Sequence, residues 1–175
     1  LKNGMSVVVS SKIVQNSNSV FQKVEQTLCH WFVMGMAKAG NEVTSFDYEG
    51  DSSSSVKDIE PKILSTAKDF RESVLGSLGA KGCKSHKGKV LFHPAAVGSL
   101  LGGLIAFNVN GRSQQDGMSK WKGCLGQEVA SRNFSFDENP LDETRPSEWS
   151  PFDREGVPTQ DHQIIKNGLL SFTAH

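Results

Sequence analysis

Gln163-Ile164-Ile165-Lys166-Asn167-Gly168-Leu169-Leu170-Ser171-Phe172 is the stretch that decides the fold class. Two short apolar runs flank Asn167-Gly168, and Asn-Gly takes positive φ at both central positions of a type I′ turn, whose twist matches that of antiparallel strands. Gln163 to Lys166 and Leu169 to Phe172 therefore read as the two strands of a closing hairpin. Its second strand ends close to the last residue of the chain, so its outer edge is expected to be open, and an open edge invites self-association.

Working back from the hairpin, Asn139 to Pro151 holds three prolines among acidic residues and reads as a loop. Gln127 to Phe136 reads as a strand on the weak alternation of Val129, Ser131, Asn133 and Ser135. Asn108 to Lys122 is polar and glycine-containing, a connection with one short helical turn. Pro94 to Phe107 is rich in Gly, Ala and Leu and reads as a small-residue helix packed closely against its neighbours. Val90-Leu91-Phe92 before it reads as a short buried strand, and Lys81 to Lys89 as a basic loop. Ile63, Ala67, Phe70, Val74, Leu75 and Leu78 recur at three- and four-residue steps after Pro61, which predicts an amphipathic helix stopped at Gly79. Asp51 to Ser55 reads as an exposed serine loop.

The first fifty residues are β-branched and partly alternating. Ser6 to Ser10 and Ser19 to Thr27 flank the polar turn Gln15-Asn16-Ser17-Asn18, and Cys29 to Met36 and Glu42 to Tyr48 flank Gly40-Asn41, so an antiparallel meander of two hairpins is expected, with Trp31-Phe32-Val33-Met34 in the core. The fold class is thus α+β, a largely antiparallel sheet with two packed helices. The organisation is a single domain or fragment in three consecutive parts: a β meander over 1–50, a helical part over 51–122, and strands with the closing hairpin over 123–175.

The 175 residues suffice for one sizeable core or two small ones. Nineteen Lys plus Arg balance nineteen Asp plus Glu, which removes the electrostatic basis for binding nucleic acid or an anionic membrane. Tyr48 is the only tyrosine, so a base-stacking platform is not indicated. Cys29, Cys83 and Cys124 are odd in number and widely spaced, as reduced thiols of a cytoplasmic protein are. No apolar run reaches the eighteen residues of a membrane span. The chain opens on Leu1, which suggests a segment of a longer protein.

Several residue sets could carry chemistry. Glycines 98, 102 and 103 suggest a phosphate cradle, but no Gly-Lys-Ser/Thr ending follows them, and close helix packing accounts for them better. Cys83, His86 and His93 bracket the Val90 strand, and one thiolate with two imidazoles could bind zinc, although the spacing is no known ligand signature. Cys29 and His30 point to opposite faces of a strand and cannot ligate together. Asp137, Glu138, Asp142, Glu143, Asp153 and Glu155 lack the spacing of a calcium loop and read as solvated loop charge. Asp153 to Gly156 form a tight turn in which a carboxylate can accept from backbone amides. Lys120-Trp121-Lys122 could touch a nucleic acid, but at zero net charge it reads as a Trp anchored between snorkelling lysines.

Read together, the motifs resemble those of the TldD/PmbA metalloproteases, also called modulators of DNA gyrase. Lys89-Val90-Leu91-Phe92-His93-Pro94-Ala95-Ala96-Val97-Gly98-Ser99-Leu100-Leu101 is similar to that family's strand entering its central helix, and Gly123-Cys124-Leu125-Gly126-Gln127-Glu128-Val129 to its Gly-x-x-Gly-x-x-Val segment. Asp153-Arg154-Glu155-Gly156 resembles its Asp-x-Glu-Gly turn, and Ile164 to Leu170, with Asn167 and Gly168, its hairpin. Asn16-Ser17-Asn18-Ser19-Val20 resembles its Asn-Ser-x-Gly-Val strand start, with Ser19 in place of the glycine.

The resemblance implies the central portion of a longer protein. One arm of the family, TldD, carries His-Glu-x-x-x-His on the central helix, with zinc on the imidazoles and water activated by the glutamate. Here Gly102, Gly103 and Phe107 fall at those positions, so the resemblance is to the other arm, PmbA or TldE. It implies a non-metal-binding subunit with no cofactor of its own, acting on peptides or unfolded proteins in the cytoplasm beside a zinc-bearing TldD-like partner or a second copy. Two alternatives stand beside it: a self-sufficient metallopeptidase using Cys83, His86 and His93, and a non-enzymatic module that binds protein or nucleic acid.

Overall fold

The structure, a computed structural model, describes residues 1–57 and 59–173. They form two compact units: residues 1–84 with 140–159, and residues 85–139 with 160–175, of which the last two lie outside the described residues. Each unit is discontinuous in sequence, so neither coincides with the three consecutive parts read from the chain. The class is α+β, with three small antiparallel sheets.

The first unit is built on a long hairpin. Strands β1 (Lys2–Gln15) and β2 (Phe21–Gly35) pair in unbroken register from Lys2 opposite Met34 to Gln15 opposite Phe21. The polar turn between them works as its composition suggests: Asn16 Oδ1 accepts from the amides of Asn18 (2.9 Å) and Val20 (3.3 Å). Ser19 sits there at φ +62, a left-handed conformation that favours glycine.

The second hairpin is smaller than expected. Two-residue strands β3 (Lys38–Ala39) and β4 (Glu42–Val43) close on Gly40-Asn41, with Gly40 at φ +61, and the chain then returns to β2 as β5 (Asp47–Ser53). The sheet order is β1-β2-β5. The serine run expected as an exposed loop is therefore partly strand, because the open edge of β2 offers backbone partners as far as Ser53, which is buried. Nor is Trp31 to Met34 buried throughout. Cys29, Trp31 and Gly35 face inward, while Phe32, Val33 and Met34 are half-buried.

Helix α1 (Glu60–Gly76) covers the inner face of this sheet. Pro61 lies in its first turn, where a missing N–H costs nothing. Its buried line is Thr66, Phe70 and Val74, and the chain turns away at Gly79, φ +77. Trp31 Nε1 donates to Thr66 Oγ1 at 2.9 Å, and that hydroxyl donates to the carbonyl of Lys62, so the polar end of a buried indole is satisfied.

Residues 140–159 return to this sheet as the loop expected. The Asp153-x-Glu-Gly turn grips the tip of the β1–β2 hairpin: a Cβ on Gly156 (φ +83) would lie 2.5 Å from Val20 Cγ1 and 3.2 Å from Val14 Cγ1. Phe152 is buried, its carbonyl accepts from Lys12 Nζ at 3.0 Å, and the same ammonium lies 4.7 Å from its ring centroid.

The second unit centres on the closing hairpin, β7 (His162–Lys166) and β8 (Leu169–Leu170), with β6 (Phe136–Glu138) beside β7. Asn167 (φ +48) and Gly168 (φ +83) form the turn as the sequence requires. Ile164, Ile165 and Leu170 bury against Ile105 and Val109 of helix α2 (Pro94–Val109), and a short helix α3 (Gly111–Gln115) follows.

Three expectations fail in this unit. Val90-Leu91-Phe92 is neither strand nor buried; Leu91 is 99% exposed, since no neighbouring strand among the described residues offers it a ladder. Most of 127–135 is irregular, with strand only from Phe136, because this segment gives its hydrogen bonds to the hairpin turn: the amides of Val129 and Ala130 donate to Gly168 O, and Gly168 N donates to Phe134 O. Consequently the outer edge of β8 is not open, for Gly126 N donates to Leu170 O and Leu170 N to Gln127 O. No helix among the described residues is long and apolar enough to cross a membrane.

Gly168 has no room for a methyl group, since a Cβ would lie 2.5 Å from Ala130 O and 2.9 Å from Ser131 O. Gly168→Ala should cost at least about 2 kcal/mol, combining the left-handed penalty with the clash. Ser19→Gly, which relieves the same penalty without a clash, should stabilise by up to about 1 kcal/mol. Urea denaturation midpoints of the two variants check the opposite signs.

Candidate functional site

Helix α2 carries the site. Pro94 starts it, and His93 Nδ1 accepts from the Ala95 amide at 3.4 Å as a cap. The helix is apolar on all sides, yet only Ile105 and Val109 are buried, while Leu100, Leu104 and Phe107, at four- and three-residue steps, line an exposed face. Beside this face runs a groove of about 620 Å³. Leu101, Leu104 and Phe107 form one wall, Met118 and Trp121 another, and Val129 and Phe134 close it, so the lining is almost wholly apolar. Lys120 is the single charged side chain in that lining.

The wall that bears Lys120 is held by one residue. Asn108 O accepts from Ser119 Oγ at 2.7 Å and from Gln114 Nε2 at 3.1 Å; Asn108 Oδ1 accepts from the Lys120 amide at 2.9 Å; Asn108 Nδ2 donates to Leu104 O at 2.9 Å. Buried Ser119 Oγ in turn accepts from the Trp121 amide at 3.0 Å. A partly buried network of this kind, centred on buried Ser119, joins the end of α2 to the Lys120-Trp121 segment. Nothing local in the sequence announces this pairing; Asn108 and Ser119 lie eleven positions apart inside what reads as a connection.

Of the positions singled out in the sequence, Phe107 lines the groove, whereas Gly102 and Gly103 lie on α2 with nothing within 4 Å of a Cβ placed on either, and the same holds for Gly98. These glycines therefore do not serve close helix packing within the unit. Gly126, at φ +79, Asn167 and Gly168 are backbone devices of the hairpin clamp, and Asp153 and Gly156 of the turn in the other unit, where Asp153 Oδ1 accepts from the amides of Glu155 (2.8 Å) and Val157 (2.9 Å). Glu155 is exposed.

Cys83, His86 and His93 are exposed and do not converge; among the described residues no three His, Cys, Asp or Glu side chains group as metal ligands. The hydroxyl and amide of Thr144 donate to the Asp142 carboxyl, and with Arg145 nearby it is held below the usual range, the reverse of a general acid. Trp121 is half-buried in the groove wall, and Lys122 Nζ donates to Gln115 O at 3.4 Å, so Lys120-Trp121-Lys122 does not present a stacking surface.

The profile of the PmbA/TldA metallopeptidase C-terminal domain matches residues 85–175, starting where the second unit starts. The chain belongs to this family. Among solved structures the PmbA/TldA chain is similar to a modulator of DNA gyrase from Thermotoga maritima MSB8 (TM-score 0.83, 24% identity, 97% of this chain and 38% of that one). It is similar also to one from Bacteroides thetaiotaomicron VPI-5482 (0.83, 22%, 98% and 38%) and to TldE from Thermococcus kodakarensis (0.73, 19%, 98% and 38%). It thus spans 38% of the length of each of these chains. No curated protein matches it.

A peptidase zinc does not fit the α2 positions that the sequence resemblance assigns to it. Two glycines have no side chain and a phenylalanine has no donor atom, so Gly102, Gly103 and Phe107 can neither ligate a metal nor move a proton.

With open space around Gly102 and Gly103, an alanine at either should raise stability by about 0.5–1 kcal/mol, as in any solvated helix interior; thermal denaturation reads this. For Asp142 the depressed value means that its hydrogen bonds to Thr144 persist at neutral pH and are lost only as pH falls below the ordinary carboxylate value of 3.8. The Thr144 amide resonance should titrate there and not between pH 5 and 8.

Proposed function

We propose that this chain is part of a PmbA/TldE-like, non-metal-binding subunit of a two-subunit cytoplasmic peptidase acting on peptides and unfolded proteins, with the catalytic zinc carried by a TldD-like partner. What supports this reading is that Gly102, Gly103 and Phe107, the α2 residues that the sequence resemblance sets at the family's zinc positions, offer no metal ligand. Membership of a metallopeptidase family together with a helix stripped of ligands leaves this chain a role in binding. The likeness to TldE agrees with it at the level of the fold. In this role the apolar groove beside Phe107 is the part of the chain suited to holding substrate, because it combines concavity, apolar lining and a single cation.

The reading is tested on the whole protein, purified without chelator, alone and mixed with a TldD-like chain. Alone it should carry no stoichiometric zinc and cleave no unfolded protein such as reduced casein; the mixture should form a complex and cleave it. Zinc and cleavage in the isolated protein, or failure to associate with a TldD-like chain, would overturn the proposal.

A further inference from the structure

The groove beside α2 has a chemistry more specific than apolar. Its lining joins Leu101, Leu104, Phe107, Trp121 and Phe134 to one ammonium, Lys120, with no carboxylate among the lining residues. Lys120 makes no ion pair among the described residues, although acidic partners hold Lys23, Lys68, Arg112, Arg132 and Arg145 elsewhere. Its position is not left to a flexible loop. Asn108 Oδ1 holds the Lys120 amide, and buried Ser119 ties the preceding residue to the last turn of α2, so the backbone from which the exposed Lys120 side chain extends is held beside the apolar wall. A volume of about 620 Å³ is in the range of small-ligand sites, in which a mostly apolar lining binds and one or a few polar groups orient.

From this charge complementarity we propose that the groove binds the C-terminal residue of a peptide, a large apolar side chain lying against Phe107 and Trp121 and the terminal carboxylate on Lys120 Nζ. An ammonium at the edge of an apolar trough selects a ligand with a single anionic end and an apolar body. A nucleic acid, with a charge on every residue, meets one cation where it needs several. A wholly neutral apolar ligand leaves the ammonium without a partner. The occupant follows from the proposed peptidase role and so rests on that reading. Trp121, a groove wall, doubles as the reporter.

The test is a ¹⁹F NMR titration of the whole protein labelled with 5-fluorotryptophan, the Trp121 resonance being assigned by its loss in Trp121→Phe. Ala-Leu-Phe with a free carboxylate should shift that resonance saturably. The same peptide amidated at its C-terminus should bind about fivefold more weakly, and Lys120→Ala should lower affinity for the free acid by the same factor while leaving the amide unchanged, as expected for one exposed ion pair. Equal binding of acid and amide, or an unshifted Trp121 resonance at saturating peptide, would overturn the proposal; so would dodecanoate binding where the peptide does not, which would make the occupant an acyl chain. Neither result touches the metal and partner assays. A protein that forms an active complex yet shows no Trp121 shift loses only this inference, and one that binds peptide here but carries its own zinc loses only the subunit reading.

Discussion

Each unit of this chain turns on a glycine at φ +83 with no space for a side chain. In the second unit Gly168 is met by the carbonyls of Ala130 and Ser131, and its own N–H and C=O are both taken by the 129–134 segment. This single residue joins the hairpin, the irregular segment before it and, through Ile164, Ile165 and Leu170, the base of α2. In the first unit Gly156 lets the Asp153 turn close over Val14 and Val20 at the end of the long hairpin. Left-handed backbone and close approach coincide at both places, a combination that only glycine satisfies.

The consequence for the site is indirect but definite. Since α2 is anchored only at its C-terminal end, by Ile105 and Val109, its first turns stand clear of the unit and its apolar residues there are exposed. The groove exists because the Asn108 network brings Lys120 and Trp121 back to that anchored end. Burial and polar satisfaction thus act at one spot, the last turn of the helix, and the face proposed for binding is the one the anchoring leaves free.

Much of this was legible in the chain. Asn167-Gly168, the helix after Pro61 and the polar turn at Asn16 each follow from local backbone chemistry, which the sequence states directly. Ser19 in place of a glycine was visible too, and the structure gives its meaning as a left-handed position. What failed depended on partners distant in sequence. Leu91 reads as buried because it is apolar, but burial needs a neighbour; Ser53 reads as exposed because it is polar, but an open strand edge beside it takes precedence. Residues 127–135 lost their alternation to the backbone of a turn more than thirty residues later. Of the groove, Phe107 was already singled out in the sequence, whereas the opposite wall requires Asn108 and Ser119 to meet across α3.

The interleaved composition of the units bears on how the chain acquires its structure during synthesis. The β1–β2 hairpin closes over a five-residue turn, and contacts this local form fast, as hairpins do on a scale of about 1–10 μs. Residues 1–84 can therefore assemble early as sheet and helix, but their covering loop, 140–159, leaves the ribosome only after the 55 residues from 85 to 139. The second unit in turn waits for the hairpin that begins at His162. At roughly 5–20 residues per second of translation the first unit spends several seconds with the end of its hairpin uncovered, and the two units are completed one directly after the other, by residues 140–159 and then 160–175.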